Sequence, residues 1–441
     1  MDKAEKSGPQ LLLLCQLFYP ELISTGQTLT ELCEELTAEG MQIEVVCGPP
    51  TIVDRDSNIP RHINHKGIRI TRVWGTHFPK LNLLGRIINQ ITFAVSVFFY
   101  LLFDRSKRIV MVLTNPPFLA VSCAILRFFR IGNPYIYLIF DVYPDTAIHL
   151  GLLKAKGLTG RIWEWTNAFV FNYSTAIIVI GRCMRDVIVA KMKSHNLVAK
   201  NKIHTIHIWS DDKLIHSVAG KANPFVEKWG LEGKFVVGYF GNMGWFHDLE
   251  TIMETAKILK EQADIVFQFV GEGRKKQYAM DFADKWNLSN CRFHTYVDRE
   301  YLSYSLSTAN ISLVSLSEGQ QGLSVPSKTF ASMAAGVPVI AIMSHVSEIA
   351  RIIIENDCGL VVEPGNAGKL ANAVLDFYNN RGKSEQMGAN ARRAIDTKYN
   401  LRSAASAYYE LICNVNQIQG DLLRSRRQNW RTSLGFADDN K

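Results

Sequence analysis

The chain has 441 residues, of which 47% are hydrophobic and 20% are charged, so its composition is globular rather than disordered. This length exceeds what one hydrophobic core supports, and we expect two domains. The formal net charge of +8 favours phosphate-bearing ligands or an anionic membrane surface. Nucleic acid is not expected, because no zinc-finger spacing or aromatic RNA-binding signature accompanies the charge.

The amino terminus and the cysteines both indicate a cytoplasmic protein. The first ten residues, MDKAEKSGPQ, are polar, and the apolar run after them is too short for a signal peptide. The eight cysteines are scattered, mostly in apolar runs, and none forms a C-x-x-C pair. We therefore expect buried free thiols in a reducing compartment, with metal ligation as the alternative.

The first half of the chain alternates strand and helix patterns. The apolar run LLLLC at residues 11–15 predicts a fully buried parallel strand, and residues 28–39 have helical spacing that ends at Gly40. Further strands are predicted at residues 42–48, 67–74, 108–115, 134–141 and 175–181. Between the first two of these, residues 49–66 contain a Pro-Pro turn and show little periodicity, which predicts a loop. This alternation predicts a doubly wound parallel sheet.

One uncharged run, residues 87–103, approaches the length that spans a membrane. Basic residues flank it on both sides, at Arg86 and at Arg105. Its polar residues, including Asn89 and Thr92, give it a polar side. We therefore favour a helix that is packed on the sheet or seated at a membrane interface over a true span.

The strand pattern restarts in the second half. After a polar stretch, KFVVGYFG at residues 234–241 opens a new series, so we place the domain boundary near residues 208–224. Residues 1–210 would form the first domain and residues 211–400 the second. Residues 401–441 would be a carboxy-terminal helix that ends at about Asn416 and can pack back on the first domain, followed by a flexible basic tail.

Two glycine-rich turns in the second domain follow predicted strands. The first is YFGNMG at residues 239–244, where Gly241 would allow a phosphate close to the main chain and Asn242 would contact it. A helix beginning near Asp248 would present free amides to the same anion. The second is VGEG at residues 270–273, where Glu272 could accept hydrogen bonds in the cleft. Tight turns without a ligand are the alternative for both.

A third segment, SLSEGQQGLSVPSK at residues 315–328, is the most specific. A strand ends in a loop containing Gly322, and a helix begins beside Pro326 and Ser327. The loop and the helix start offer amides for a diphosphate, and Lys328 offers a cation without a metal. Glu318 is placed to accept from sugar or ribose hydroxyls. The alternative is a helix capped by Ser327 beside an exposed lysine.

The second half of the chain resembles the donor domain of retaining family 4 glycosyltransferases. The resemblance is carried by four motifs in this order: YFGNMG, FVGEG, SLSEGQQGLSVPSK and MAAGVPVIA. FYPELISTGQ and LIFDVYPDT in the first domain add to this resemblance, which extends from about residue 11 to residue 416. Within the family, the chain is most similar to the colanic-acid-type subgroup that adds fucose-type or N-acetylamino sugars to exopolysaccharide and O-antigen.

The resemblance implies a GT-B fold, in which two doubly wound, Rossmann-like α/β domains face a central cleft. It implies a UDP- or GDP-linked sugar donor in the second domain and an acceptor held mainly by the first. It also implies that no cofactor or metal takes part, because Lys328 and backbone amides would carry the charge of the leaving diphosphate. The sugar would be transferred with retention of configuration.

The chain departs from the family pattern at two places. Many members have an arginine and a lysine in the first motif, where this chain has Asn242 and His247. Many also have two glutamates separated by seven residues, and the second would fall on Ala331. Glu318 matches the first glutamate only if the loop carries a short insertion, and Lys328 is the candidate to supply the missing cation.

Three sites in the first domain are further candidates. The loop at residues 19–27, which contains Gly26, precedes a helix and suits a phosphate or the transferred sugar. Asp141 and Asp145 follow a buried strand, where each could contact sugar or acceptor hydroxyls, act as a base or cap a turn. Arg182 follows the strand TAIIVIG and could reach a phosphate, or could be an ordinary surface arginine.

The resemblance also suggests a membrane-linked acceptor. The aromatic segment Phe93–Phe103, together with Phe118, Phe128 and Phe129, could seat the first domain on the inner leaflet, near a polyprenyl-diphosphate-linked glycan.

Four rival functions remain open from the sequence. A nucleotide-sugar epimerase would need paired carboxylates and a histidine, which we do not locate, and an inverting transferase is the other GT-B alternative. A catalytically inactive homologue serving as a binding or assembly subunit is supported by the missing second glutamate. A nicotinamide-dependent dehydrogenase is disfavoured, because no G-x-G-x-x-G follows the first strand.

Overall fold

A computed structural model describes residues 9–21, 25–50, 59–76, 78, 83–154, 157–198, 201–218 and 223–433, with side chains up to residue 417 except those of Leu83 and Arg86. Two α/β lobes are formed, each built on its own sheet. The strands are β1 (Gln10–Cys15), β2 (Gln42–Cys47), β3 (His62–His65), β4 (Ile68–Arg72), β5 (Ile109–Leu113), β6 (Tyr135–Ile139), β7 (Ala176–Val179), β8 (Ile203–Thr205), β9 (Phe235–Phe240), β10 (Ile265–Val270), β11 (Cys291–His294), β12 (Ile311–Ser315), β13 (Val339–Ile342) and β14 (Gly359–Val362).

The helices cover the faces and edges of the two sheets. They are α1 (Thr25–Ala38), α2 (Leu83–Phe103), α3 (Leu119–Phe128), α4 (Asp145–His149), α5 (Leu158–Tyr173), α6 (Arg182–Ser194), α7 (Pro224–Lys228), α8 (Leu249–Ile258), α9 (Lys276–Trp286), α10 (Leu302–Leu306), α11 (Lys328–Ala334), α12 (Glu348–Glu355), α13 (Ala367–Asn379), α14 (Arg381–Thr397) and α15 (Leu401–Ser433).

The first sheet has eight strands in the order β3-β4-β2-β1-β5-β6-β7-β8, and the second has six in the order β11-β10-β9-β12-β13-β14. All of the paired strands are parallel except β3 and β4. The order reverses beside β1 in one sheet and beside β9 in the other, and ligands bind at such switch points in doubly wound folds. The α/β fold with two Rossmann-like domains is confirmed.

Strand β3 was not predicted, because residues 49–66 were interpreted as a loop with little periodicity. Its sequence HINH carries only one apolar side chain and all four residues are at least partly exposed. An edge strand of this kind has no alternation that marks a buried face. It is held instead by a two-residue turn in which Lys66 and Gly67 both have positive φ.

Helix α2 packs on α3, and α3 packs on α5, so these three helices form one layer on a face of the first sheet. The opposite face is covered by α1 and α15, whose buried side chains include Leu29, Leu32, Tyr408 and Ile412. Within the described part of the chain, no helix is both long enough and apolar enough to cross a membrane.

The chain crosses between the lobes twice, and the two crossings lie side by side. On the way out it passes Ser210, whose amide donates to the Tyr399 carbonyl oxygen at 3.0 Å, and it returns at Asn400 into α15. The predicted domain boundary at residues 208–224 falls between the last strand of the first sheet and the first strand of the second.

The carboxy-terminal helix is longer than the sequence pattern indicated. We predicted a helix to about Asn416 and then a flexible basic tail, but α15 continues to Ser433. Residues 421–433 contain leucine, arginine and glutamine, which favour helix, and no proline interrupts them. The predicted tail therefore begins no earlier than residue 434, and residues 434–441 lie outside the described part of the chain.

Candidate active site

The two glycine turns of the second lobe meet at the carboxyl ends of β9 and β10. A Cβ atom on Gly271 would lie 2.1 Å from the carbonyl oxygen of Gly241, and one on Gly273 would lie 2.5 Å from that of Met243. Gly271 and Gly273 also have φ values of 148° and 150°, which L side chains rarely adopt. Glycine is therefore required at both positions for the two turns to pack against each other.

The third segment brings Lys328 to the same place. Lys328 is the first residue of α11, and its Nζ donates to Tyr239 Oη at 2.6 Å and to the carbonyl oxygen of Asn242 at 3.1 Å. A Cβ atom on Gly241 would lie 3.9 Å from the Lys328 side chain. The three sequence motifs thus converge around Gly241.

Lys328 has neutral partners only: no carboxylate in the described part of the chain forms an ion pair with it. Burial lowers the pKa of its amine to about 7. His247 lies nearby with Nδ1 2.7 Å from the Ser315 carbonyl oxygen, and burial and the charge of Lys328 lower the pKa of its imidazole to about 3. This cation without a counter-ion, beside a glycine surface, is suited to an anionic ligand.

The start of α8 is not available to that anion, contrary to our expectation. Asp248 caps the helix, and its carboxylate accepts from the amide of Thr251 at 3.0 Å and from the amide of Gly365 at 3.2 Å. A negative charge therefore already occupies this helix terminus. We therefore expect an anion at Gly241 to depend mainly on Lys328 and on the turns themselves.

The remaining predicted contacts of the second lobe are exposed to solvent. Glu272 is exposed and pairs with Lys276 at 2.7 Å, while Asn242 presents an exposed side chain. Glu318 is exposed and forms no ion pair or hydrogen bond with the described residues. Ser327 is also exposed and makes no capping hydrogen bond, so the alternative in which it caps α11 is not realised.

The loop that precedes Pro326 packs against the first lobe. A Cβ atom on Gly322 would lie 2.8 Å from Val187 and 2.9 Å from the carbonyl oxygen of Cys183, both in α6. The Leu323 carbonyl oxygen accepts from the amide of Val142 at 2.9 Å. The loop therefore forms part of the contact between the lobes.

Asp141, the residue before Val142, is partly buried at the end of β6. Burial raises the pKa of its carboxyl to about 6. It lines a small cavity of about 20 Å³ together with Tyr143 and Trp163, whose rings stack at 5.6 Å. Asp145, by contrast, pairs with Lys191 at 2.6 Å, and the role predicted for it stays a prediction.

Gly26 and Arg182 do not lie at the Lys328 turn. Gly26 is in the first turn of α1, where a Cβ atom would lie 2.5 Å from the Glu21 carbonyl oxygen; residues 22–24 of that loop are outside the described residues. Arg182 donates from Nε to Glu348 at 2.8 Å and from Nη1 to Glu355 at 2.6 Å, both in the second lobe. The roles predicted for these two residues stay predictions.

Two family models match adjacent parts of the chain. Residues 25–209 match "Glycosyl transferase 4-like domain", and residues 223–394 match "Glycosyl transferases group 1". The chain belongs to the family 4 glycosyltransferases. The boundary between the two matches coincides with the crossing between the lobes.

Two relatives support the same assignment. The chain is 29% identical over 67% of its length to "Probable glycosyltransferase WbjE" of Pseudomonas aeruginosa, covering 74% of that protein. It is 25% identical over 76% of its length to "Putative colanic acid biosynthesis glycosyl transferase WcaI" of Escherichia coli, covering 83% of it. The resemblance to the exopolysaccharide type of family 4 glycosyltransferase is confirmed.

Solved structures confirm the GT-B fold. Sucrose-phosphate synthase of Thermosynechococcus elongatus is similar with a TM-score of 0.74 at 17% identity, over 93% of this chain and 100% of that one. HepE of Anabaena, in complex with UDP and glucose, is similar with a TM-score of 0.69 at 13% identity, over 92% and 100%.

Sequence reasoning missed one residue of this glycosyltransferase that joins its lobes. Glu348 begins α12, and its side chain is 1% exposed although it is charged. In the sequence, Ser347-Glu348 resembles an ordinary helix start, in which a serine cap precedes an exposed acid. Only the three-dimensional placement distinguishes it, because its partners lie more than 140 residues away in the chain.

Proposed function

We propose that this glycosyltransferase takes a sugar from a UDP- or GDP-linked donor with retention of configuration, in the synthesis of a cell-surface polysaccharide. The observation that carries the proposal is Lys328, an amine without a counter-ion beside the Gly241 turn. The negative charge of a diphosphate would provide the counter-ion that this amine lacks. The names of the two relatives, one of which specifies colanic acid biosynthesis, favour polysaccharide over other acceptors.

In the proposed reaction, the bond between the anomeric carbon and the diphosphate oxygen breaks, and its electron pair stays on the diphosphate. Lys328 and the amides of the glycine turns stabilise the charge that develops there. The acceptor oxygen forms the new bond from the same face, and its proton passes to the oxygen of the departing diphosphate. Asp141, whose carboxyl has a raised pKa, contacts the acceptor on the first lobe.

Donor binding tests this proposal directly. We expect at least one of UDP-glucose, UDP-N-acetylglucosamine, GDP-mannose and GDP-fucose to raise the Tm of the protein, and Lys328→Ala to abolish that shift. Loss of the charge should also lower kcat/KM for donor hydrolysis by roughly 100-fold or more. Lys276→Ala, which removes a nearby lysine already paired with Glu272, is the matched control.

A second candidate is an inactive homologue that binds a donor without transferring it. Ala331, at the position of the second family glutamate, favours it because a methyl group makes no hydrogen bond to ribose or sugar. Measuring the release of nucleoside diphosphate from a bound donor distinguishes the active transferase from the inactive homologue. A protein that binds a donor but never turns it over would be a binding subunit.

We further propose that the acceptor is lipid-linked and that the first lobe rests on an anionic membrane. Among the described residues, 18 of the 27 exposed large hydrophobic side chains lie between Trp74 and Trp165. Most belong to the layer formed by α2, α3 and α5, and such a patch is unusual on a monomeric surface. Residues 83–165 also contain nine basic and four acidic residues, and three of those acids are paired within the lobe.

A further inference from the structure

Glu348 reaches from the second lobe into the first. Its Oε2 accepts from the backbone amides of Arg182, in a short contact, and of Cys183 at 3.2 Å. Its Oε1 accepts from Arg182 Nε at 2.8 Å and lies 2.9 Å from His207 Nε2. One carboxylate therefore joins α12 of the second lobe to α6 and to the segment after β8 of the first.

The amino terminus of α6 depends on this carboxylate for its cap. Gly181, the residue before the helix, offers no side-chain oxygen to the free amides of the first turn. A Cβ atom on Gly181 would lie 2.9 Å from Glu348 Cγ. Glycine thus leaves the space through which the acid from the other lobe enters.

The charge of Glu348 is fully compensated where it sits. Burial alone would raise the pKa of its carboxyl, but hydrogen bonds from His207 and Arg182 outweigh that effect and lower it to about 2. If the lobes separated, the α6 amides and the Arg182 guanidinium would lose this partner together. The contact therefore favours one relative placement of the lobes.

That placement matters because the site is divided between them. Lys328 and the glycine turns belong to the second lobe, whereas Asp141 belongs to the first, one strand away from β7 and α6. The same placement brings the Leu323 carbonyl oxygen onto the Val142 amide. Near-attack geometry is lost with displacements of about 1 Å, which can cost 100-fold in rate.

We propose that Glu348 is a positioning residue, which closes the cleft by capping α6 from the opposite lobe and so sets the acceptor side against the donor side. The proposal rests on the division of donor and acceptor between the lobes in the proposed function. Glu348 itself touches neither substrate. Its loss is therefore expected to affect turnover more than donor binding.

Three variants separate this role from others. Glu348→Gln keeps the size of the side chain but removes its charge. Gly181→Ala leaves Glu348 intact and displaces it sterically; Gly181 has an extended backbone with φ of −168°, so alanine adds no backbone strain. Glu355→Gln is the matched control, because Glu355 bonds the same guanidinium at an exposed position without reaching the α6 amides.

We expect Glu348→Gln and Gly181→Ala to speed hydrogen exchange at the Arg182 and Cys183 amides and to raise the radius of gyration measured by X-ray scattering. Both should lower kcat by at least about tenfold for the best donor of the UDP- and GDP-sugar screen, with KM for that donor nearly unchanged. Glu355→Gln should change kcat by less than about threefold.

Unchanged exchange and scattering in both variants would overturn the proposal, and so would a tenfold rise in donor KM with unchanged kcat. If the native protein turned over no donor, the proposed function would fail, but the exchange and scattering results would still decide whether Glu348 closes the cleft.

Discussion

At the scale of single residues, the site is defined by a lysine that has no acidic partner. Lys328 bonds to a phenol and to a main-chain carbonyl, and both are neutral acceptors. A buried amine in such surroundings holds its proton weakly, which is why its pKa falls to about 7. An arriving diphosphate reverses this effect, because opposite charge favours the protonated form.

Donor affinity should therefore fall as pH rises. Below pH 7 the amine of the free protein is protonated, whereas above it the protein must take up a proton when the anion binds. The apparent affinity for UDP should then weaken by up to about tenfold per pH unit above 7. Isothermal titration from pH 6 to pH 9 would measure it. In Lys328→Arg, whose guanidinium stays charged across this range, the slope should vanish; an equal slope in native protein and variant would assign the proton to another group.

The glycine turns make a second prediction at this scale. Gly271→Ala would place a methyl group 2.1 Å from the Gly241 carbonyl oxygen, and we expect a loss of roughly 3 kcal/mol or more in unfolding free energy. Gly365→Ala is the control, since Gly365 has φ of 78° but no atom within 4 Å of its added Cβ. It should cost only about 1–2 kcal/mol of backbone strain. Equal losses in urea unfolding would mean that the two turns do not pack as described.

At the scale of elements, the sequence predicted what periodicity and turn residues encode. The buried parallel strands were predicted, because runs such as LLLLC and FVVGYF are apolar on both faces. The edge strand β3 was not predicted, because its residues show no buried alternation, and the end of α15 was not, because no glycine or proline marks a stop after Asn416 within residues 421–433. The same limit applies to the site: the motifs marked Lys328 and Gly241, but the pairing of Glu348 with α6 depends on how the lobes meet.

The layer of α2, α3 and α5 carries the membrane prediction. Ile91 and Val95 are 57% and 49% exposed on α2, and Ile91→Glu with Val95→Glu would add charge to the apolar face without disturbing the core. We expect the native protein to co-float with vesicles containing phosphatidylglycerol, and a smaller fraction to do so at high salt. The double variant should remain in the unbound fraction at the bottom of the gradient. Ile258→Glu, at a site 53% exposed on α8 of the second lobe, should still float. Equal flotation of all three proteins would show that this face of α2 does not contribute to membrane binding.

At the scale of the whole molecule, α15 follows the second lobe along the chain and packs on the first lobe. Tyr408 is 1% exposed on the face that α15 lays against the first sheet, and its ring meets Trp209 edge-on at 6.2 Å. Tyr408→Ala should lower the unfolding free energy by roughly 3–5 kcal/mol, measured by chemical denaturation. Glu410→Ala, at an exposed position on the same helix, should stay within about 0.5 kcal/mol of the native value. A Tyr408 variant as stable as native protein would show that α15 adds little to the first lobe.

The path of α15 also bears on how the protein is made. The face of α1 that it covers is synthesised within the first forty residues, whereas Tyr408 and Ile412 emerge from the ribosome only after the whole second lobe. The first lobe to be translated is thus the last to be completed, and its apolar flank stays uncovered in the meantime. During that interval a nascent chain would present a natural target to chaperones.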